Sequence, residues 1–240
     1  MKIPTFQYDS LPSTNDMAFD LLRQGYSPPF IVLAVRQTRG RGRGTHSWFS
    51  PEGGLWFSVA LGGISFQCLP GLSLWTAYVT AARLRALTFL PIQIKLPNDL
   101  ILHNKKLGGI LIEIKNRTAV AGIGLNTNIS SFPPSLQEKA TSIFQVLGQK
   151  IEHTEVYPWI AEHLWNYTQS SSPPPSGWIP QVNAWLYGRG HLVAVTIRDQ
   201  RIQGILQEVT LDFQMILNTP SGERVESLAF LKDFEIVNEG

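Results

Sequence analysis

The stretch Phe30–Trp48, FIVLAVRQTRGRGRGTHSW, joins two textures that rarely sit side by side. Its first six residues are an apolar, β-branched run of the kind that fills a buried strand. From Gln37 the chain turns into glycine alternating with arginine: Arg39, Arg41 and Arg43, with Arg36 just upstream. No acidic residue lies between Asp20 and Glu52 to neutralise them. Such a ribbon cannot be core, and glycine loses too much entropy on ordering for it to be a favourable regular element. Alternating glycines let backbone N–H groups come close to an anion, and guanidinium groups offer planar, charged donors to carboxylate or phosphate. Downstream, Gly54–Leu61, GLWFSVAL, reads as a second strand, so the ribbon is a long loop between two strands, tethered at both ends and free in the middle.

Working outward, Ser13-Thr14-Asn15-Asp16 has the spacing of a capping box, with Ser13 as cap and Asp16 returning the bond, and starts a helix that ends at Gly25. Pro70–Leu90 is a long, largely apolar helical pattern. IQIKL, DLILH and KLGGILIEI follow as strands, the last two divided by a turn at His103-Asn104-Lys105. Thr118–Leu125 is their antiparallel neighbour after a turn at Lys115-Asn116-Arg117. Helices are expected over Pro134–Gln149, Thr154–Tyr167 and Trp178–Tyr187, with Ser170–Gly177, SSSPPPSG, as a loop. From Gly188 the pattern changes to short strands, LVAVTI, IQGILQEV, FQMILN and ERVESL, with turns between them. The reading is α+β, with a main domain over residues 1–187 and a small β-barrel over 188–240.

The totals limit the function classes. In 240 residues, 43% are hydrophobic and 16% charged, which is the composition of a folded chain. A net charge of +2 is too small for a duplex-binding surface, and a single internal ribbon is not a repeated terminal RGG tail. One cysteine, Cys68, excludes an internal disulfide framework and fits a reducing compartment. No signal sequence and no bilayer-length apolar run are apparent, so a cytoplasmic protein is expected. The five histidines lack metal-ligand spacing, and no Ser-His-Asp or Cys-His set is evident.

Four further constellations could carry chemistry. Lys95-Leu96-Pro97-Asn98-Asp99 places a cation beside a carboxylate at a proline-fixed turn. Lys106-Leu107-Gly108-Gly109 puts two glycines in an otherwise good strand, which points to a pocket floor, although a β-bulge would also use glycine there. Gly122-Ile123-Gly124-Leu125-Asn126-Thr127-Asn128 repeats the theme. Ser13-Thr14-Asn15 supplies small polar groups at a helix start, which helix capping by itself would also explain.

Taken in order, these motifs resemble those of biotin protein ligases. That family shows S-T-N, Q-T-x-G-R-G-R-x-G-R-x-W, K-W-P-N-D, R-K-L-x-G-I-L-x-E and G-x-G-x-N-x-N. Here they read STN, QTRGRGRGTHSW, KLPND, KKLGGILIE and GIGLNTN, in register over about residues 5 to 130. The resemblance implies a catalytic fold akin to class II aminoacyl-tRNA synthetases, with a mixed, largely antiparallel sheet and a small C-terminal SH3-like barrel. It implies a short form without the winged helix-turn-helix of ligases that double as repressors, and hence no operator binding. It also implies a two-step reaction: biotin and ATP with Mg²⁺ give biotinyl-5′-AMP, and a lysine of a biotin carboxyl carrier protein, as in acetyl-CoA carboxylase, then takes the biotin. By the same resemblance Ser13, Thr14, Asn15, Gln37, Arg41, Gly42, Arg43, Lys106, Gly108 and Gly109 meet biotin. Arg41, Arg43, Trp48, Asn98, Asp99 and Asn126 meet ATP, with Lys106, Arg43 and Lys95 as the catalytic cations and Asp99 a candidate for the metal. A monomer or homodimer is expected, with no nucleic-acid or membrane partner. The chain departs from the pattern at Gly44-Thr45-His46 and at Leu96, where the family has Arg-Gly-Arg and tryptophan. A lipoate or octanoyl ligase of the same superfamily is the nearest alternative, but its R-R-x-x-G-G-G-x-V-x-H-D stretch is absent. A non-catalytic module that captures biotin or nucleotide would keep the polar pocket without the cations, and a nucleic-acid-binding protein would show an oligonucleotide affinity that collapses with salt.

Overall fold

A computed structural model describes residues 2–63, 69–115, 118–169 and 177–237. The expected loop over Ser170–Gly177 and the turn at Asn116-Arg117 fall wholly or mostly outside them. The first half builds a seven-stranded sheet from β1 (Thr5–Leu11), β2 (Phe30–Gln37), β3 (Leu55–Leu61), β4 (Gln93–Lys95), β5 (Asp99–Leu102), β6 (Lys105–Lys115) and β7 (Thr118–Leu125). Their spatial order is β1-β2-β3-β7-β6-β5-β4; β1 and β2 are parallel and the other pairs antiparallel, a mixed sheet. The parallel pair is joined by α1 (Thr14–Arg23), which crosses one face of the sheet.

Both faces are covered, so β3 is buried along its whole length and its sequence is a continuous apolar run interrupted only by Ser58. On one face Phe19, Leu21 and Ala18 of α1 pack with Phe30, Val32, Ala60 and Val120. On the other, Phe57, Val59 and Leu61 meet α2 (Leu69–Thr88) and α5 (Tyr157–Gln169). Helix α2 is apolar over most of its surface because half of its residues are buried, and its buried Thr76, Thr80 and Thr88 return their hydroxyls to carbonyls four residues back.

The helix expected over Pro134–Gln149 is two short pieces, α3 (Pro134–Gln137) and α4 (Ile143–Leu147). The reason lies in between: Lys106 N–H donates to the Lys139 carbonyl at 2.8 Å and Thr141 N–H to the Lys106 carbonyl at 3.0 Å. Residues 139–141 thus run extended beside β6 and cannot stay helical. After α6 (Trp178–Ala184), the segment Trp185–Tyr187 exchanges backbone bonds with Ile94 of β4.

The C-terminal strands are β8 (Leu192–Ile197), β9 (Gln200–Val209), β10 (Gln214–Thr219), β11 (Gly222–Ser227) and β12 (Leu231–Ile236). They form an antiparallel sheet in the order β11-β10-β9-β8-β12, in keeping with an SH3-like unit. This sheet is not loosely appended. Val193, Val195, Leu206 and Leu231 join the same apolar core as α2 and β3, and Asn183 of α6 bonds both the N–H and the carbonyl of Val209. Two strands have no expectation in the sequence reading, β1 and β12. The burial of β1 is that of an exposed edge, and β12 carries its apolar residues out of alternation.

Candidate active site

A cavity of about 730 Å³ opens between the start of α1, the arginine ribbon, the glycine-bearing strands and the β12 end of the second sheet. Fourteen of the fifteen residues singled out in the sequence line it: Ser13, Thr14, Asn15, Gln37, Arg41, Gly42, Arg43, Trp48, Lys95, Asn98, Asp99, Lys106, Gly109 and Asn126. The exception is Gly108. Its missing side chain points the other way, where a Cβ would meet the Leu125 side chain at 2.6 Å and the Gly124 carbonyl at 2.9 Å. Successive residues of a strand face opposite sides, so only one of two adjacent glycines can belong to the floor.

One end of the cavity is a polar nest in which the charges of Arg41, Asp16 and Glu113 are paired with one another. Ser13 occupies the N-cap position of α1 by its backbone, but its side chain makes no capping bond, which corrects the capping-box expectation. Asp16 instead pairs with Arg41 at 2.7 Å. Thr14 donates from both N–H (2.8 Å) and hydroxyl (3.2 Å) to Gln37 Oε1, and Gln37 Nε2 donates to Ser50 Oγ at 2.9 Å. Asn15 Nδ2 donates to Glu113 Oε2 at 2.7 Å. The fully buried Ser58 hydroxyl lies 2.7 Å from Thr14 Oγ1 and 2.6 Å from Asn15 Oδ1. Ser58 escaped the sequence reading; a lone hydroxyl inside an apolar strand was the available signal. Gly122 faces this nest, and a Cβ there would strike Asn15 Oδ1 at 2.3 Å.

The floor of the middle section is Gly109 and Gly124, paired across β6 and β7. The indole of Trp48 lies on them: a Cβ on Gly109 would be 2.9 Å from its ring, and one on Gly124 would be 2.8 Å from its Nε1. Among the described residues, that buried Nε1 has no hydrogen-bond partner. Lys106 Nζ stands 4.9 Å from the Trp48 ring centroid and 2.7 Å from Asp99 Oδ2. Asn98 and Asn126 are held by backbone: Asn98 Nδ2 donates to the Ile110 carbonyl (2.7 Å) and Asn126 Nδ2 to the Lys106 carbonyl (3.2 Å).

The other end is cationic. Arg43, Lys95, Lys106 and Lys139 line it with Asp99 and Asp233, and Lys232 joins the wall with its Nζ paired to Asp199. Arg41 sits nearer the polar nest, its guanidinium divided between Glu113 (2.9 Å) and Asp16. The ribbon is folded rather than free in its middle. Arg41 bridges Ser47, Gly42 N–H donates to the His46 carbonyl (2.8 Å), and Trp48 N–H donates to the Gly40 carbonyl (2.8 Å). At the tip, Arg43 donates to the Leu231 carbonyl of β12 at 2.6 Å. Burial pulls the Arg43 pKa down from its ordinary value, while the nearby charges of Asp99 and Asp233 push it back up. Lys139, Lys232, Asp233 and Phe234 were all missed by sequence reasoning, since each reaches the cavity through a tertiary contact.

The profile described as Biotin/lipoate A/B protein ligase family matches residues 8–129, just over half of the 240. The chain belongs to this family. It is 36% identical over 157 residues to the bifunctional ligase/repressor BirA of Bacillus spizizenii, covering 62% of this chain and 48% of that protein. It is 26% identical over 231 residues to the biotin acetyl-CoA-carboxylase ligase of Paracoccus denitrificans, covering 89% and 93%. The solved biotin protein ligase from Aquifex aeolicus, in complex with biotin and ATP, superposes with a TM-score of 0.86 at 24% identity, over 98% of this chain and 99% of that one. At that identity the likeness concerns the fold. The chain spans about half the length of the first curated relatives it matches. Among the described residues, no helix is long and apolar enough to cross a membrane.

Proposed function

We propose that the chain is an ATP-dependent biotin protein ligase, which makes biotinyl-5′-AMP and passes the biotin to a lysine of a carboxyl carrier protein. The observation that carries this reading is the polarity of that cavity. A hydrogen-bonding nest at one end, its charges paired internally, is joined by a glycine floor to a cluster of cations at the other. A substrate with a neutral polar head and a carboxylate tail fits that gradient, and a triphosphate fits the cationic end.

In the first step the carboxylate oxygen attacks the α-phosphorus of ATP, the new O–P bond replaces the bond to pyrophosphate, and pyrophosphate leaves. Carboxylate and triphosphate repel each other, so Arg43, Lys95 and Lys106 must offset their charge, with Lys106 nearest the floor. Lys106 is pre-positioned by Asp99 and by its backbone bonds to residues 139 and 141. In the second step the carrier's lysine amine attacks the acyl carbon and AMP departs. The mixed anhydride hydrolyses readily in water, and the hairpin of residues 40–48 lies over the cavity where it can keep water out.

Thr14, Asn15 and Gln37 are the groups suited to the ureido ring, with the buried Ser58 hydroxyl holding Thr14 and Asn15 from behind. Among the described residues, no cluster of three or more His, Cys, Asp or Glu side chains could hold a metal ion. Magnesium would come with the nucleotide, on its phosphates, and Asp99, which lies beside Gly109 on the floor, is the candidate carboxylate for it. The family also includes lipoate ligases; the motifs over residues 13–15, 37–48 and 106–113, and the relatives named for biotin, support the biotin reading. A cytoplasmic location accompanies this proposal. The test is isotope exchange between pyrophosphate and ATP in the presence of biotin, lipoate or octanoate, followed by transfer to a carrier domain. Exchange driven by biotin alone supports the assignment; exchange driven by lipoate or octanoate instead overturns it.

A further inference from the structure

Three consecutive residues of β12, Lys232, Asp233 and Phe234, all line the cavity. A regular strand would present only alternate ones. The pairing of β12 with β8 explains the exception. Leu231 faces Ile197 and Asp233 faces Thr196, so the register slips by one and Lys232 is the extra residue of a β-bulge. Bulges re-aim side chains, and this one turns a strand end of the second sheet into a wall of the active site. It is fixed on several sides. Leu231 is fully buried, Lys232 Nζ pairs with Asp199 at 2.6 Å, and the ring of Phe234 is buried with Lys95 Nζ 6.0 Å from its centroid. Asp233 Oδ1 accepts from the Phe234 N–H at 2.9 Å, which holds the carboxylate in one orientation.

The tip of the arginine hairpin ends on this bulge. Arg43 donates to the Leu231 carbonyl, 188 residues away in the chain, which brings it beside Asp233 of the same bulge; burial opposes its charge, and Asp99 and Asp233 support it. We propose that the β12 bulge is the seat of the hairpin, and that Asp233 is a positioning residue that holds Arg43 over the cavity. The proposal deepens the functional reading above, since it concerns how that site is closed. It makes the second sheet a working part of the site: hairpin and bulge shut together, and a change on either side opens both.

The hairpin offers its own probe, because trypsin cleaves after Arg39 and Arg41 only when the segment opens. Asp233→Asn keeps the acceptor for Phe234 N–H and removes the charge. In the purified full chain it raises the initial rate of cleavage after Arg39 and Arg41 about fivefold, the size of a modest charge coupling. Cleavage after Arg224, on β11, stays at the wild-type rate. Asp233→Glu stays near wild type, Arg43→Gln is cut at least as fast as Asp233→Asn because it also loses the bond to Leu231, and the double variant is cut no faster than Arg43→Gln. Wild-type cleavage in Asp233→Asn overturns the proposal. So do single effects that multiply in the double variant, or a parallel rise after Arg224, which would mean that the whole sheet had loosened. Cleavage does not depend on catalysis. A wild-type chain without biotin-dependent exchange would count against the proposed function and leave the hairpin result standing.

Discussion

Gly108 and Gly109 are neighbours with opposite duties, and a single methyl group separates them. In Gly108→Ala the added carbon meets the Leu125 side chain and a backbone carbonyl, so overpacking should lower stability by about 1–3 kcal/mol with substrate affinity unchanged. In Gly109→Ala it meets the movable indole of Trp48, so the melting temperature should hold while the biotin-dependent exchange rate falls about 100-fold. Thermal melts and exchange assays on the two variants check this crossing pattern. Lys106→Ala is the third residue-level test. Its ion pair with Asp99 is partly exposed, the lysine side chain at 38%, so losing it should cost about 0–1 kcal/mol of stability. In the proposed reaction its charge offsets that of the reacting phosphate, and adenylate formation should drop about 100- to 1,000-fold. Unchanged exchange in the folded variant would remove Lys106 from the mechanism. At this scale the sequence was most informative: polar triplet, cations and floor glycine were readable because each needs a particular side chain or none. Ser58 and Asp233 were not, since their partners are brought to them by tertiary folding.

Among the elements, the loop carrying Asn126 and Thr127 rests on His153. Thr127 Oγ1 is 2.7 Å from His153 Nε2, and burial pushes the His153 pKa down from 6.5. Above about pH 6.5 the ring is neutral in both folded and unfolded chains and adds no pH dependence. Below it the unfolded chain takes up a proton that the native site resists, so stability falls with pH until the native ring is protonated too. Denaturant titrations at pH 7.5 and 5.5 should show this extra acid loss in the wild type and a smaller one in His153→Gln. The arginine hairpin makes a second element-level prediction. Arg43→Gly removes its anchor on β12, so the intermediate should escape and acylate bystander amines, as measured by biotin on an unrelated protein in the assay. Leakage equal to wild type would show that the hairpin does not retain it. The elements themselves were legible in proportion to their burial. Strand β3 and helix α2 announced themselves by long apolar runs, whereas β1 is a polar edge and β12 loses its alternation at the bulge. The helix expected over residues 134–149 failed because backbone pairing with Lys106 outweighed local propensity.

For the molecule as a whole, two sheets share one apolar core and one cavity, so the second sheet cannot be removed without exposing Val193, Val195, Leu206 and Leu231 and opening the cationic wall. The change of texture near Gly188 was visible in the sequence; that β12 returns to finish the site was not, because nothing local encodes a contact with Arg43. The central claim is that this cavity joins a neutral polar head to a triphosphate through cations on a glycine floor. Biotin-dependent exchange of labelled pyrophosphate into ATP tests it most directly, run on the wild-type chain and on Lys106→Ala. The account predicts exchange that requires biotin and collapses in the variant. Exchange that proceeds without biotin, or that survives the loss of Lys106, would contradict it.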